Sequence, residues 1–82
     1  MSVVWLKLYN DEKSFKLLEN LGFNVYKIYK DENIDFKIDE LIRKDNNTIV
    51  LTNEVASFSN KINNEYKKNK KIKIIIDKNH FK

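Results

Sequence analysis

Apolar and polar positions along the chain switch repeatedly between a strand-like and a helix-like period. Val3-Val4-Trp5-Leu6-Lys7-Leu8-Tyr9 is a β-branched and aromatic run of strand length. It stops at Asn10-Asp11-Glu12, where Asn10 is placed to cap a helix and the two acids fall in a first turn that favours negative charge. Phe15, Leu17, Leu18 and Leu21 give a helical apolar stripe, and Gly22 is the natural residue for a left-handed C-cap. Phe23 to Tyr29 reads as a second strand with loose alternation, followed by a polar loop from Lys30 to Asn33. Phe36, Ile38, Leu41 and Ile42 predict a short second helix, capped by Asn33 or Asp35. Asp45-Asn46-Asn47 is turn chemistry, and Thr48-Ile49-Val50-Leu51-Thr52 is an apolar strand of the kind found inside parallel sheets.

Asn53 then opens a third predicted helix. Val55, Phe58, Ile62 and Tyr66 recur on one helical face, Ala56 and Ser59 flank them, and Lys67 to Lys71 close the helix with positive charge. Ile72 to Ile76 is the clearest strand, and residues 78–82 are expected to be a short frayed tail. The expected fold is therefore α/β: a four-stranded, mostly parallel sheet in β-α-β-α-β-α-β order, with right-handed crossovers and helices on both faces.

The 82 residues make a single domain, 1–82, with neither a repeat nor a linker. Cysteine is absent, so packing has to supply nearly all the stability. Ten Ile and nine Phe and Tyr residues are too many for a disordered chain. The start of the chain lacks a basic segment leading into a long apolar one, and no apolar run exceeds four residues. These features predict neither a signal peptide nor a membrane-inserted helix, and a cytoplasmic location by default. Lys, Asn and Ile dominate the composition while Pro is missing, a bias expected of an AT-rich bacterial, phage or protist genome.

Candidate chemistry is sparse. A parallel sheet presents binding groups at the carboxyl ends of its strands. That rim comprises Asn10 and Asp11, then Tyr29 to Asp31, then Thr52, Asn53 and Glu54, and finally Asp77. Asp11, Glu54 and Asp77 together would form an acidic Mg²⁺ site; the competing reading makes Asn10 and Asn53 helix caps and the acids partners of helix dipoles. The rim has no glycine to let backbone N–H groups approach a phosphate, so no nucleotide cofactor is expected. The one histidine, His80, falls in the tail, and no serine has a base in an arranged position, so the chain is not expected to be an enzyme.

Charge changes the picture. Residues 1–60 carry 8 basic and 10 acidic groups, whereas residues 61–82 carry 8 Lys against only Glu65 and Asp77. The net charge of +4 thus resides in the last quarter. Lys61, Lys67, Lys68, Lys70, Lys71 and Lys73 are the candidate partner-binding patch, suited to an acidic protein surface or, as an alternative, to nucleic acid. The patch has no Arg for base readout, and only Phe81 remains beside it to stack on a base. An exposed Trp5 would mark a contact surface; a buried one would lie in the core or under a helix. A homodimer is a further possibility for so small a core.

Several segments resemble the F subunits of V-type and archaeal-type rotary ATPases. They are the N-terminal strand with its acidic turn and Phe15 leading to Leu21-Gly22-Phe23; then Ile49-Val50-Leu51-Thr52-Asn53-Glu54-Val55-Ala56; then Ile62 to Tyr66-Lys67 with the closing strand Ile72 to Ile76. The likeness spans roughly residues 3–77. It departs where the family's glycine after the first strand is Tyr9 or Asn10, where a proline before the last strand is Lys71, and where the Ile-Pro ending that strand is Ile76-Asp77. The family's C-terminal helix, which engages the central stalk, has no counterpart in the 82 residues. The resemblance implies a non-catalytic domain that docks on a larger assembly, with a stand-alone adaptor or inhibitor from a phage or mobile element as the related expectation.

Overall fold

A computed structural model describes residues 2–29 and 32–77. The tail 78–82, including His80 and Phe81, and Lys30 and Asp31 of the loop after the second strand lie outside the described residues. The elements follow the expected alternation: β1 Val3–Leu8, α1 Lys16–Asn20, β2 Val25–Ile28, α2 Ile34–Arg43, β3 Thr48–Thr52, α3 Asn53–Ser57, a π-helix Ile62–Tyr66, and β4 Lys73–Asp77. The four strands form one sheet in the order β2-β1-β3-β4, and every pairing is parallel.

Register assigns the side chains to two faces. Val4, Ile49 and Ile74 align in one row, and Tyr26, Leu6, Leu51 and Ile76 in the next. Except for Tyr26, which is exposed at the sheet edge, these residues join Ile28 in a single core. Ile34, Ile38 and Leu41 of α2, Val55 and Ala56 of α3, and Ile62 and Tyr66 of the π-helix complete it. The opposite face carries the row Val25, Trp5, Val50 and Ile75, flanked by Lys7 and Lys27 on one side and by Val3, Thr48 and Lys73 on the other. Among the described elements α1 lies over this second face, through the Lys7–Glu19 contact, and it contributes no buried residue.

α1 is shorter than its apolar stripe predicts. Asp11, rather than Asn10, organises the entry, because its carboxylate accepts the Lys13 and Ser14 N–H groups at 3.1 and 3.0 Å. The chain cannot start its helix until Phe15, which sits in the left-handed region at φ 57°. Leu17 and Leu21 are consequently exposed and Phe15 is only half-buried. The end of α1 is as expected: Gly22 adopts φ 89°, and Phe23 N–H bonds the Leu18 carbonyl at 3.0 Å in the αL-capped geometry.

Asn33 caps α2 by accepting the Phe36 N–H, and Asp45 takes the left-handed position after it. Phe36, expected in the stripe, faces solvent, while Ile34 takes a core position. The third predicted helix is interrupted. Thr52, not Asn53, caps α3 through its side chain, and α3 stops at Ser57. The break follows from Asp35 on α2, whose carboxylate accepts the Ser59 hydroxyl and the Asn60 N–H, the latter at 3.1 Å. These bonds pull residues 59–60 off the helical path. Phe58 therefore leaves the core and is 62% exposed. The chain resumes as the π-helix, and Tyr66 is anchored by its hydroxyl to the Asp35 carbonyl at 3.1 Å and the Asp39 carboxylate at 2.7 Å. Lys67 to Lys71 consequently form a turn into β4 rather than the end of an α-helix.

Candidate functional site

Two regions merit functional attention, a rim and a face of the sheet. The first is the carboxyl rim. Asn10 follows β1, Thr52 ends β3, and Asn53 and Glu54 open α3, so the rim residues stand where the strand ends were expected. Their roles are largely local. Thr52 is buried and holds the Val55 N–H at 3.2 Å, Asp11 closes its own turn, and Asn53 and Glu54 are exposed in the first turn of α3. Burial opposes ionisation of Asp11, but hydrogen bonds from Ser14 and Lys13, with Lys7 nearby, hold its carboxyl below the usual range. Asp11, Glu54 and Asp77 do not converge: among the described residues no three His, Cys, Asp or Glu side chains gather into a metal-holding group.

The rim instead opens a pocket on its β1–β2 side, with a volume of about 460 Å³. Leu8, Ile28 and Ile34 supply apolar lining from β1, β2 and the start of α2. Tyr9 and Tyr29, one residue beyond each strand, stack with centroids 5.6 Å apart and planes 22° from parallel. Phe58 adds a third ring, and Asn10, Asn33, Asn60 and Glu32 bring polar atoms. Sequence reasoning placed Phe58 in the core and overlooked the pocket; the adjoining signal was two tyrosines each ending a predicted strand.

The second region is the face of the sheet beneath α1. Lys7 is fully buried there, its ammonium held by the Ser14 carbonyl at 2.9 Å and the Glu19 carboxylate at 3.0 Å. Lys27 approaches the same carboxylate at 3.7 Å. The Lys7 hydrogen bond, then the neighbouring positive charges, hold the Glu19 carboxyl below its ordinary range. This cluster covers the β1–β2 half of the face. Over β3 and β4 the face is more open toward its edge: Val50 is half-buried and Ile75 is 40% exposed. Trp5 is half-buried and meets the exposed Phe23 edge-on at 5.6 Å.

The predicted lysine patch divides in two. Lys61 is engaged with Asp39 and Glu65, both at 3.7 Å, and belongs to the α2–π-helix junction. Lys67, Lys68, Lys70, Lys71 and Lys73 are all exposed, and none pairs with a carboxylate among the described residues. Lys73 stands two residues before Ile75 on the same face of β4, so it borders the row Trp5, Val50 and Ile75, and the other four lysines lie in the turn that precedes it.

No family model, curated protein or solved structure matches the chain. No helix among the described residues is long and apolar enough to cross a membrane.

Proposed function

We propose that this protein is a non-catalytic interaction module that docks on another protein bearing an acidic, partly apolar surface. The observation that carries the reading is the row Trp5, Val50 and Ile75, half-buried to exposed, with exposed Lys73 beside it on the same face and four more exposed lysines in the turn leading into β4, all without described carboxylate partners. Apolar area that folding leaves wet is removed from water when a partner covers it, and charge complementarity at the rim steers and orients the encounter. The rim acids support the same reading, since Asp11 is committed to its own turn and Glu54 to the first turn of α3. The likeness of the sequence to the F subunits of rotary ATPases accords with docking on a larger assembly, and an adaptor or inhibitor from a mobile element uses the same surface.

The test is affinity capture from native lysate with three proteins: wild type, Lys67/Lys68/Lys70/Lys71→Glu, and Ile75→Asp. Each captured partner is then re-bound in purified form. The expected result is loss of binding in both variants with unchanged thermal melting. Retention by both contradicts the reading.

The lysine cluster also favours a second reading, nucleic-acid binding. It requires a duplex or single strand to bind at low salt with an affinity falling by roughly several decades across the physiological range. Binding that depends on the lysines but not on Ile75 selects this alternative.

A further inference from the structure

Independently of the docking face, we infer that the pocket at the carboxyl ends of β1 and β2 is a binding site for a neutral, planar heteroaromatic ring carried on a small polar group, a nucleoside rather than a nucleotide.

Its size comes first. A volume of about 460 Å³ falls in the usual range for small-ligand sites and accommodates a base with its ribose. Its walls come next. Tyr9 and Tyr29 are already stacked, and both rings remain exposed, so the pair offers a preformed π surface that costs little to organise. Phe58 is an exposed aromatic side chain at the end of α3, set in the same pocket because Asp35 diverts the chain after it. A flat ring gains stacking energy from each such surface, and the gain depends little on which base is presented.

The polar groups suit the edge of a heterocycle. The side chains of Asn10 and Asn60 bond no described residue, and Asn33 uses only its Oδ1, to cap α2. A carboxamide carries a donor and an acceptor side by side, which is the pattern a base edge presents in return. The described lining offers a phosphate no cationic partner. Glu32 is the one ionisable side chain on the described lining besides the tyrosines, and one of its oxygens accepts the Tyr29 N–H at 2.7 Å. No cation lines the described pocket, and no glycine loop offers backbone N–H groups to an anion. A saturated sugar alone presents C–H edges rather than a π face, and so makes poorer use of three rings.

The experiment is a titration of the ¹⁵N-labelled protein with adenosine, guanosine, cytidine and uridine, each beside its 5′-monophosphate and beside glucose. Amide shifts are expected at Tyr9, Asn10, Tyr29, Asn33, Phe58 and Asn60, saturating for at least one nucleoside, with the monophosphate binding no more tightly. Tyr29→Ala and Phe58→Ala remove exposed rings, so melting stays unchanged while the dissociation constant rises about tenfold for each. Absence of shifts with all four nucleosides at about 10 mM overturns the inference. So do shifts that neither variant weakens, tighter binding of the monophosphate, or binding of glucose with no nucleoside binding.

Discussion

The two faces of this sheet are built from the same strands, yet one is closed and the other is open. On the α2–α3 side, Leu6, Ile38, Ile49, Leu51 and Val55 are completely buried. On the α1 side, the only described side chain buried to that degree is a lysine. The strands do not explain this, since each alternates apolar residues toward both sides. The helices do. α2 runs for ten residues with Ile34, Ile38 and Leu41 on one stripe, whereas α1 is a five-residue helix delayed by the Asp11 turn. A short helix cannot span four strands, so the β3–β4 half of its face is only partly covered, and Ile75 is left 40% exposed. Burial is therefore decided by the length of the covering element as much as by the pattern of the strand beneath it.

The sharpest way to break that contrast is to truncate one leucine-sized side chain on each helix. Ile38→Ala opens a cavity in the closed core and is expected to cost about 2–5 kcal/mol in urea unfolding. Leu17→Ala, on α1, removes an exposed side chain and is expected to change stability by no more than about 0.5 kcal/mol. Comparable losses would mean that α1 packs more tightly than its exposure indicates.

A second contrast lies inside the open face, at the Lys7–Glu19 pair. Removing Glu19 strands a buried ammonium, whereas removing Lys7 strands only a carboxylate that water reaches. Glu19→Ala is thus expected to lower the melting temperature. Lys7→Met, which keeps the volume and drops the charge, is expected to hold stability within about 1.5 kcal/mol of wild type. The same pair sets an acid limit. Because the Glu19 and Asp11 carboxyls lie below their unfolded values, their contribution is fully present above about pH 4.5 and is lost as pH falls through the lower, folded values. Glu19→Gln should flatten the acid limb of the stability–pH curve.

Tyr66 offers the smaller effect on the closed side. Tyr66→Phe removes both hydroxyl bonds to α2 and is expected to cost about 1–2 kcal/mol, read as a shift in the urea midpoint. Burial, then the hydrogen bond to Asp39, raises the phenol well above its ordinary value. Its contribution is therefore present below about pH 10 and fades only at higher pH; in the Phe variant that alkaline dependence disappears.

These contrasts also mark how far the sequence carries. β3 was readable in full, because five residues of strand propensity sit between two turn signals and local pattern is enough. Gly22 was readable as a C-cap for the same local reason. The break after α3 was not: it depends on Asp35, 24 residues from Ser59, and nothing near Phe58 announces it. The α1 truncation was hidden because Asn10 and Asp11 are both good capping residues, and only geometry selects the second. At the candidate sites, the lysine excess was visible as a charge count, but the partly open row near it depends on the missing length of α1. Lys7 looked like any polar position of an alternating strand; its burial follows from Glu19 arriving above it.

Val50 and Leu51 are neighbours on β3 and point to opposite faces, which makes them the most direct probe of one closed and one open side. Urea unfolding of Leu51→Ala and Val50→Ala at low protein concentration is the decisive comparison. Leu51→Ala is expected to lose about 2–5 kcal/mol, and Val50→Ala less than about 1 kcal/mol. Equal losses would show that something already covers the Val50 face in the isolated protein, and the open docking surface would have to be abandoned.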